Sequence, residues 1–176
     1  MKRSASIKIV LCGIFAAFTC ICAMISIPFG VVPINMAHIA IFISAWILGP
    51  SLALVSQFVY IFLGILGLPV FSGFTAGVGH ILGPTGGFII AYPLVAWISA
   101  ILFKSNKFKG LVGIIIGVCI GWLLEYFIGT VYYCFVTSTS LFAALTVCVV
   151  PFVFGDICKT VIVVIMFKKF KVIKLK

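Results

Sequence analysis

Residues 110–135 read GLVGIIIGVCIGWLLEYFIGTVYYCF, and Glu125 is the one charged side chain among them. A helix rises 1.5 Å per residue, and about 20 consecutive apolar residues cross the hydrocarbon of a bilayer. This run is long enough to cross. Outward from it the pattern repeats: apolar stretches at 7–27, 36–49, 51–66, 84–103 and 151–168 complete six candidate spans. Pro28 and Pro33 break the first from the second, and Gly49-Pro50 turns the second into the third. A Gly-rich stretch, 67–83, joins the third to the fourth, and Thr137-Ser138-Thr139-Ser140 follows the fifth. The segment 141–150 before Pro151 is too short to span and reads as an interfacial or re-entrant piece.

Composition agrees. Of 176 residues 65% are apolar and 8% charged, against about 25% charged in ordinary soluble domains. Such a chain cannot keep a soluble surface wetted, and it is too apolar for disorder. The expectation is an all-α integral membrane protein, one transmembrane domain over 1–176 that has the lipid bilayer for its solvent.

The net charge is +10, from twelve basic and two acidic side chains. The basic residues cluster at the ends of apolar runs: Lys2, Arg3 and Lys8; Lys104, Lys107 and Lys109; Lys168, Lys169, Lys171, Lys174 and Lys176. Cytoplasmic segments carry such clusters. Six spans with both termini cytoplasmic put all three on one side and leave the loops at 28–35, 67–83 and 136–140, which have no charge, outside. No aromatic-basic interleaving supports a nucleic-acid partner. The basic, apolar start resembles a signal peptide, but no small-x-small cleavage site follows, so it reads as the first membrane helix. Seven cysteines without a CxxC pair read as reduced packing residues. His38 and His80 stand isolated, so no metal and no cofactor is expected. GxxxxGK[ST] is absent, so energy from ATP has to come from a partner.

Three formal charges fall inside spans away from their ends: Glu125, Asp156 and Lys159. An ionisable group in the bilayer costs roughly 2.5–3.5 kcal/mol on insertion scales and marks a functional site by default. Asp156 and Lys159 are three apart and share a helix face. Either they neutralise each other, or they face a water-accessible cavity and hold a ligand. Glu125 has no evident partner and sits toward the outer end of its span, where it reads as a structural residue reaching water. The stretch from Gly67 to Phe88 is rich in glycine, and Pro84 leaves the amides of Thr85, Gly86 and Gly87 free for a polar group. Its Gly77-Val78-Gly79-His80-Ile81-Leu82-Gly83 misses the spacing of a dinucleotide loop.

Leu48-Gly49-Pro50, Tyr60, Leu63-Gly64, Gly67-Leu68-Pro69-Val70-Phe71, Gly73 and Gly83-Pro84-Thr85-Gly86-Gly87-Phe88, with Pro151-Phe152-Val153, Asp156 and Lys159 as PFxxxDxxK, resemble the BioY family. These are biotin-binding S components of energy-coupling factor (ECF) transporters. Tyr126 and Gly129-Thr130 fit more loosely, and the likeness covers most of 33–168. The family's PFTLQ reads Pro33-Ile34-Asn35-Met36-Ala37 here, and Phe74 and His80 stand where small residues are commoner.

The resemblance implies a high-affinity substrate-capture subunit for vitamin uptake in the bacterial cell membrane, with no enzymatic activity. It implies a T component and two cytoplasmic ATPases as partners. It points to Asp156 and Lys159 as pocket residues, Lys159 for the biotin carboxylate and Asp156 for ureido N–H groups, or the reverse. Phe71, Phe88 and Tyr92 are candidates to pack on the ring body, and Gly73, Thr85 and Gly86 to make backbone or hydroxyl contacts. In the first helix Gly13 and Ala17, with Ala16 and Cys20 on a neighbouring row, offer small residues four apart, for a partner helix or for the bundle itself. Alternatives are an S component for another vitamin and a stand-alone channel or secondary carrier. A membrane enzyme using Asp156 and Lys159 lacks a nucleophile–base set.

Overall fold

The computed structural model describes residues 5–27, 32–105 and 110–169. Helices occupy the apolar runs and stop at the breakers. Helix α1 (Ala5–Met24) leads into β1 (Ser26–Ile27), which pairs antiparallel with β2 (Ile34–Asn35). Helix α2 (Ala37–Leu48) ends at Gly49, whose φ of 81° disfavours any side chain. Helix α3 (Pro50–Ile65) begins on Pro50, whose fixed φ and missing N–H suit a first turn. A single-turn α4 (Val78–Leu82) lies in the Gly-rich stretch, followed by α5 (Gly86–Phe103) and α6 (Leu111–Thr137). Helix α6 stops at Ser138 in the left-handed region, and Ser140 Oγ accepts from the Ala143 N–H to cap α7 (Leu141–Cys148). Helix α8 (Val150–Lys169) ends the described chain. The segment expected to be interfacial or re-entrant is thus a short helix.

Four of these helices, α1, α5, α6 and α8, are long and apolar enough to cross a membrane. The other two expected spans are shorter, 12 residues in α2 and 16 in α3. At 1.5 Å per residue α2 extends about 18 Å, less than the ~30 Å of a hydrocarbon core. Large apolar side chains such as Phe127, Phe135, Phe142 and Phe154 are turned outward. Lipid solvates such a surface and water does not. The chain is a multi-pass membrane protein.

Helix α5 sits at the centre, packed along α6, α3 and α2, with α1 closing on α2 and α3. Pro93 is buried inside α5, where neighbouring helices accommodate the lost hydrogen bond. At one end of the bundle the Phe167 ring lies 4.3 Å from Trp46 and 5.5 Å from Phe103, bringing together the ends of α2, α5 and α8. The Cys12 thiol reaches the Leu52 carbonyl at 3.5 Å, so the start of α1 lies beside the start of α3 at the same end. Among the described basic residues, Lys8, Lys104, Lys168 and Lys169 belong to this end. Lys2, Arg3, Lys107, Lys109, Lys171, Lys174, Lys176 and Pro28 lie outside the described residues. Lys159 is elsewhere, at the opposite half, where the connectors enclose a cavity.

Candidate functional site

Helix α8 enters the bundle at Pro151 and carries Asp156 and Lys159 on one face into that cavity. Lys159 Nζ donates to Asp156 Oδ1 at 2.9 Å, and both residues are buried, 5% and 6% exposed. The Tyr126 hydroxyl donates to Asp156 Oδ2. The ammonium stands 5.5 Å from the centroid of the Trp122 ring, a cation–π contact. Trp122 is fixed in turn by its Nε1–H, which donates to Thr160 Oγ1 at 3.1 Å. The ammonium has three donors and uses one among the described residues. The charges thus neutralise each other and also line a cavity, with donor capacity to spare among the described residues.

A second polar pair lines the same cavity. Glu125 Oε2 on α6 and His38 Nε2 on α2 share a hydrogen bond. This corrects two expectations. Glu125 is 3% exposed and does not reach water, because α6 turns it inward against α2; His38 is not isolated. The imidazole lies 4.2 Å from Trp122 and 5.4 Å from Tyr92, centroid to centroid. Its Nδ1 is buried with no hydrogen-bond partner among the described residues. Inward placement of an acid in a membrane helix was itself a signal, but its partner is 87 positions away, beyond the reach of any spacing rule.

Of the expected contact residues, Thr85, Phe88 and Tyr92 line the cavity with Asp156 and Lys159. Phe71, Gly73 and Gly86 are not among the residues that line it. The Phe71 ring fills the space beside Gly64 and packs on Tyr60, while its other face stacks on His80 at 5.2 Å; it supports the wall from behind. Gly73 is exposed, and its N–H donates to Ser26 Oγ at 3.0 Å, tying loop to connector. Gly86 is pressed against the Ile81 carbonyl, where a Cβ would collide, so it serves the packing of α4 on α5. Gly129 likewise yields its place to the Phe88 ring.

The cavity mouth is built by Asn35, Ser72 and His80, of which Asn35 and His80 stand where this chain departs from the family pattern. Asn35 Oδ1 accepts from the Ala37 N–H at 3.0 Å, and its Nδ2 donates to Ser72 Oγ at 2.7 Å. This Asx-type bond starts α2 and joins it to the 66–77 loop. Asn35 thus occupies the altered PFTLQ segment and lines the cavity with Ser72 and His80. His80 shares a hydrogen bond between its Nδ1 and Thr75 Oγ1 at 3.2 Å, and partial burial holds its pKa below the ordinary 6.5. In the first helix Ala16 and Cys20 are buried in the bundle, whereas Gly13 and Ala17 are exposed. No cluster of three or more metal-ligating side chains occurs among the described residues.

The family model of the BioY family matches residues 1–174. The chain belongs to the BioY family. Its relatives cover it nearly end to end. A "Probable biotin transporter BioY" of Pyrococcus horikoshii is 35% identical over 161 residues, 90% of this chain and 93% of that one. The "Biotin transporter BioY" of Thermotoga maritima is 32% identical, covering 93% and 95%. "Biotin transporter BioY2" of Lactococcus lactis subsp. cremoris is 31% identical, covering 94% and 90%. In fold, this BioY chain is similar to a crystal structure described as the S-component for biotin from an ECF-type ABC transporter, with a TM-score of 0.85 at 24% identity over 96% of this chain and 94% of that one.

Proposed function

We propose that this chain is a high-affinity biotin-capture subunit, the S component of an ECF-type transporter that imports biotin across the bacterial cell membrane. It performs no covalent chemistry. The observation that carries the reading is one cavity in which the buried Asp156–Lys159 pair faces a mostly apolar lining of Phe88, Ile89, Tyr92, Trp122 and Phe152. Biotin needs that combination: an apolar bicycle with few, well-placed polar contacts.

The pair meets one end of the ligand. Asp156 Oδ1 and Lys159 Nζ are 2.9 Å apart, whereas the ureido ring and the carboxylate of biotin are its two extremities. A ureido group carries N–H and C=O side by side, which matches a carboxylate next to an ammonium. Asp156 accepts the N–H and Lys159 donates to the C=O, replacing the expectation that Lys159 takes the carboxylate. The carboxylate then points to the mouth, toward Ser72, Thr85 and His80.

Six helices, the short α2 and α3 among them, build one transmembrane domain, 1–176, with both termini cytoplasmic and the cavity opening outward. The basic residues at the far end support this orientation. The partners are a T component and two cytoplasmic ATPases, the former meeting the exposed Gly13–Ala17 face of α1. Uptake requires that ligand and partners distinguish outward- from inward-facing states. Labelled-biotin uptake tests this in cells expressing the chain with and without a T component and ATPases. Uptake that needs ATPase activity is the expected result; equal uptake without the partners would make the chain a secondary carrier.

A further inference from the structure

At the cavity mouth the surroundings of His80 leave one ring atom free to change. Thr75 Oγ1 has a single hydrogen, which it gives to the Ser72 carbonyl at 3.0 Å. In its 3.2 Å contact with His80 Nδ1 the ring therefore donates, so Nδ1 carries hydrogen whether the imidazole is neutral or charged. Only Nε2 differs between the two states, a lone pair in one and an N–H in the other. The Phe71 ring stacks on the imidazole at 5.2 Å and steadies it. Nε2 has no hydrogen-bond partner among the described residues and is not sealed from solvent. His80 lines the cavity with Ser72 and Thr85.

No fixed charge competes for this atom. The connecting segments 25–37, 66–90 and 136–155 contain no Lys, Arg, Asp or Glu, and His80 is their one histidine. Helices α3 and α5, which pack against α4, bring the phenols Tyr60 and Tyr92. Helix α6 brings the Tyr132 hydroxyl, which donates to the Ile81 carbonyl at 3.0 Å. Apart from the Cys148 thiol of α7, the other titratable groups of the cavity are engaged with one another: His38 with Glu125, and Asp156 with Lys159 and Tyr126. Partial burial makes a charge on His80 costly, which lowers its pKa from 6.5, and no carboxylate among the described residues stands by to offset it. An anionic ligand group at the mouth supplies that offset.

We propose that the His80 imidazolium holds the carboxylate of biotin through Nε2–H, so that the ligand binds together with one proton. The inference rests on the biotin reading above, with the ureido ring at Asp156 and Lys159. A neutral Nε2 turns a lone pair toward the carboxylate, whereas the charged ring makes a charge-assisted hydrogen bond to it. By linkage, the proton raises biotin affinity by the same factor with which biotin raises the proton affinity of His80.

The test is equilibrium binding to the purified full chain in detergent, from about pH 8 to about pH 5.5, a range above ordinary carboxylate pKa values. The ligands are biotin and its methyl ester, which keeps the ureido ring and has no charge. Wild-type affinity for biotin should rise at least about tenfold toward the acid end, about 1.4 kcal/mol. Binding should take up protons, read by calorimetry in two buffers of different ionisation enthalpy. Affinity for the ester should not rise. In His80→Gln the biotin profile should become level, since an amide N–H does not titrate; a merely structural role for His80 would move acid and ester alike. A level wild-type profile for biotin, a rise shared by the ester, or a rise kept in His80→Gln overturns the His80 contact and leaves the biotin reading standing. A folded wild type that binds no biotin at any pH overturns both.

Discussion

The Phe88 ring lies where a side chain at position 129 would be, so the first turns of α5 and the second half of α6 touch through a glycine. Phe88 also lines the cavity, which turns a packing detail into a lever on binding. Gly129→Val forces the ring to move, and its free side is the cavity. Biotin affinity should fall at least about tenfold, and part of it should return in Gly129→Val/Phe88→Ala, because contacting residues couple by about 0.5–3 kcal/mol. Titration calorimetry of the three variants measures this.

Lys159→Met removes the proposed donor to the ureido carbonyl and leaves Asp156 buried with the Tyr126 hydroxyl alone. Breaking a buried pair on one side costs about 3–5 kcal/mol, so the single variant should lose both stability and binding. Asp156→Asn/Lys159→Met removes both charges. It should recover most of the unfolding temperature while biotin affinity stays about 100-fold or more below wild type, the loss expected for charge-assisted hydrogen bonds. Thermal unfolding and binding, read on the same preparations, separate the two effects.

The first helix divides by exposure. Gly13 and Ala17 are open, whereas Ala16 is 1% exposed against the neighbouring helices. Gly13→Leu and Ala17→Leu should weaken co-purification with the T component and leave biotin binding unchanged. Ala16→Leu overpacks the core and should cost about 1–3 kcal/mol of stability. If Gly13→Leu co-purifies at wild-type yield, α1 is not the partner-facing surface.

His80 gives a pH signature. Burial lowers its pKa from 6.5, so below that value the unfolded chain binds more protons than the folded one. Stability therefore rises with pH through the interval between the lowered value and 6.5, and falls as the solution is acidified through it. A charge on the half-buried imidazole should loosen its stack on Phe71 and with it the 66–83 segment first, while Thr75 Oγ1, which donates to the Ser72 carbonyl, still accepts from Nδ1–H. Hydrogen exchange there should quicken between pH 7 and 5, and His80→Gln should flatten the trend.

The sequence carried the helices and one half of the polar site. Apolar runs bounded by Pro and Gly are local, so their helices were legible, and Asp156 and Lys159 lie within one turn. The rest depended on contacts between distant segments. Glu125 declared itself by its charge, yet its inward rotation follows from how α6 meets α2 and α5, and His38 needed that meeting to become its partner. Phe71 and Gly86 carry family motifs but serve as supports, since a motif names residues without saying which side of the wall they occupy.

The central claim is tested most directly by equilibrium binding of biotin to the purified chain in detergent, without ATP or partners, with riboflavin and thiamine as competitors. The account predicts saturable one-to-one binding that neither competitor displaces. A chain that unfolds cooperatively on heating, and is therefore folded, yet binds no biotin would contradict it.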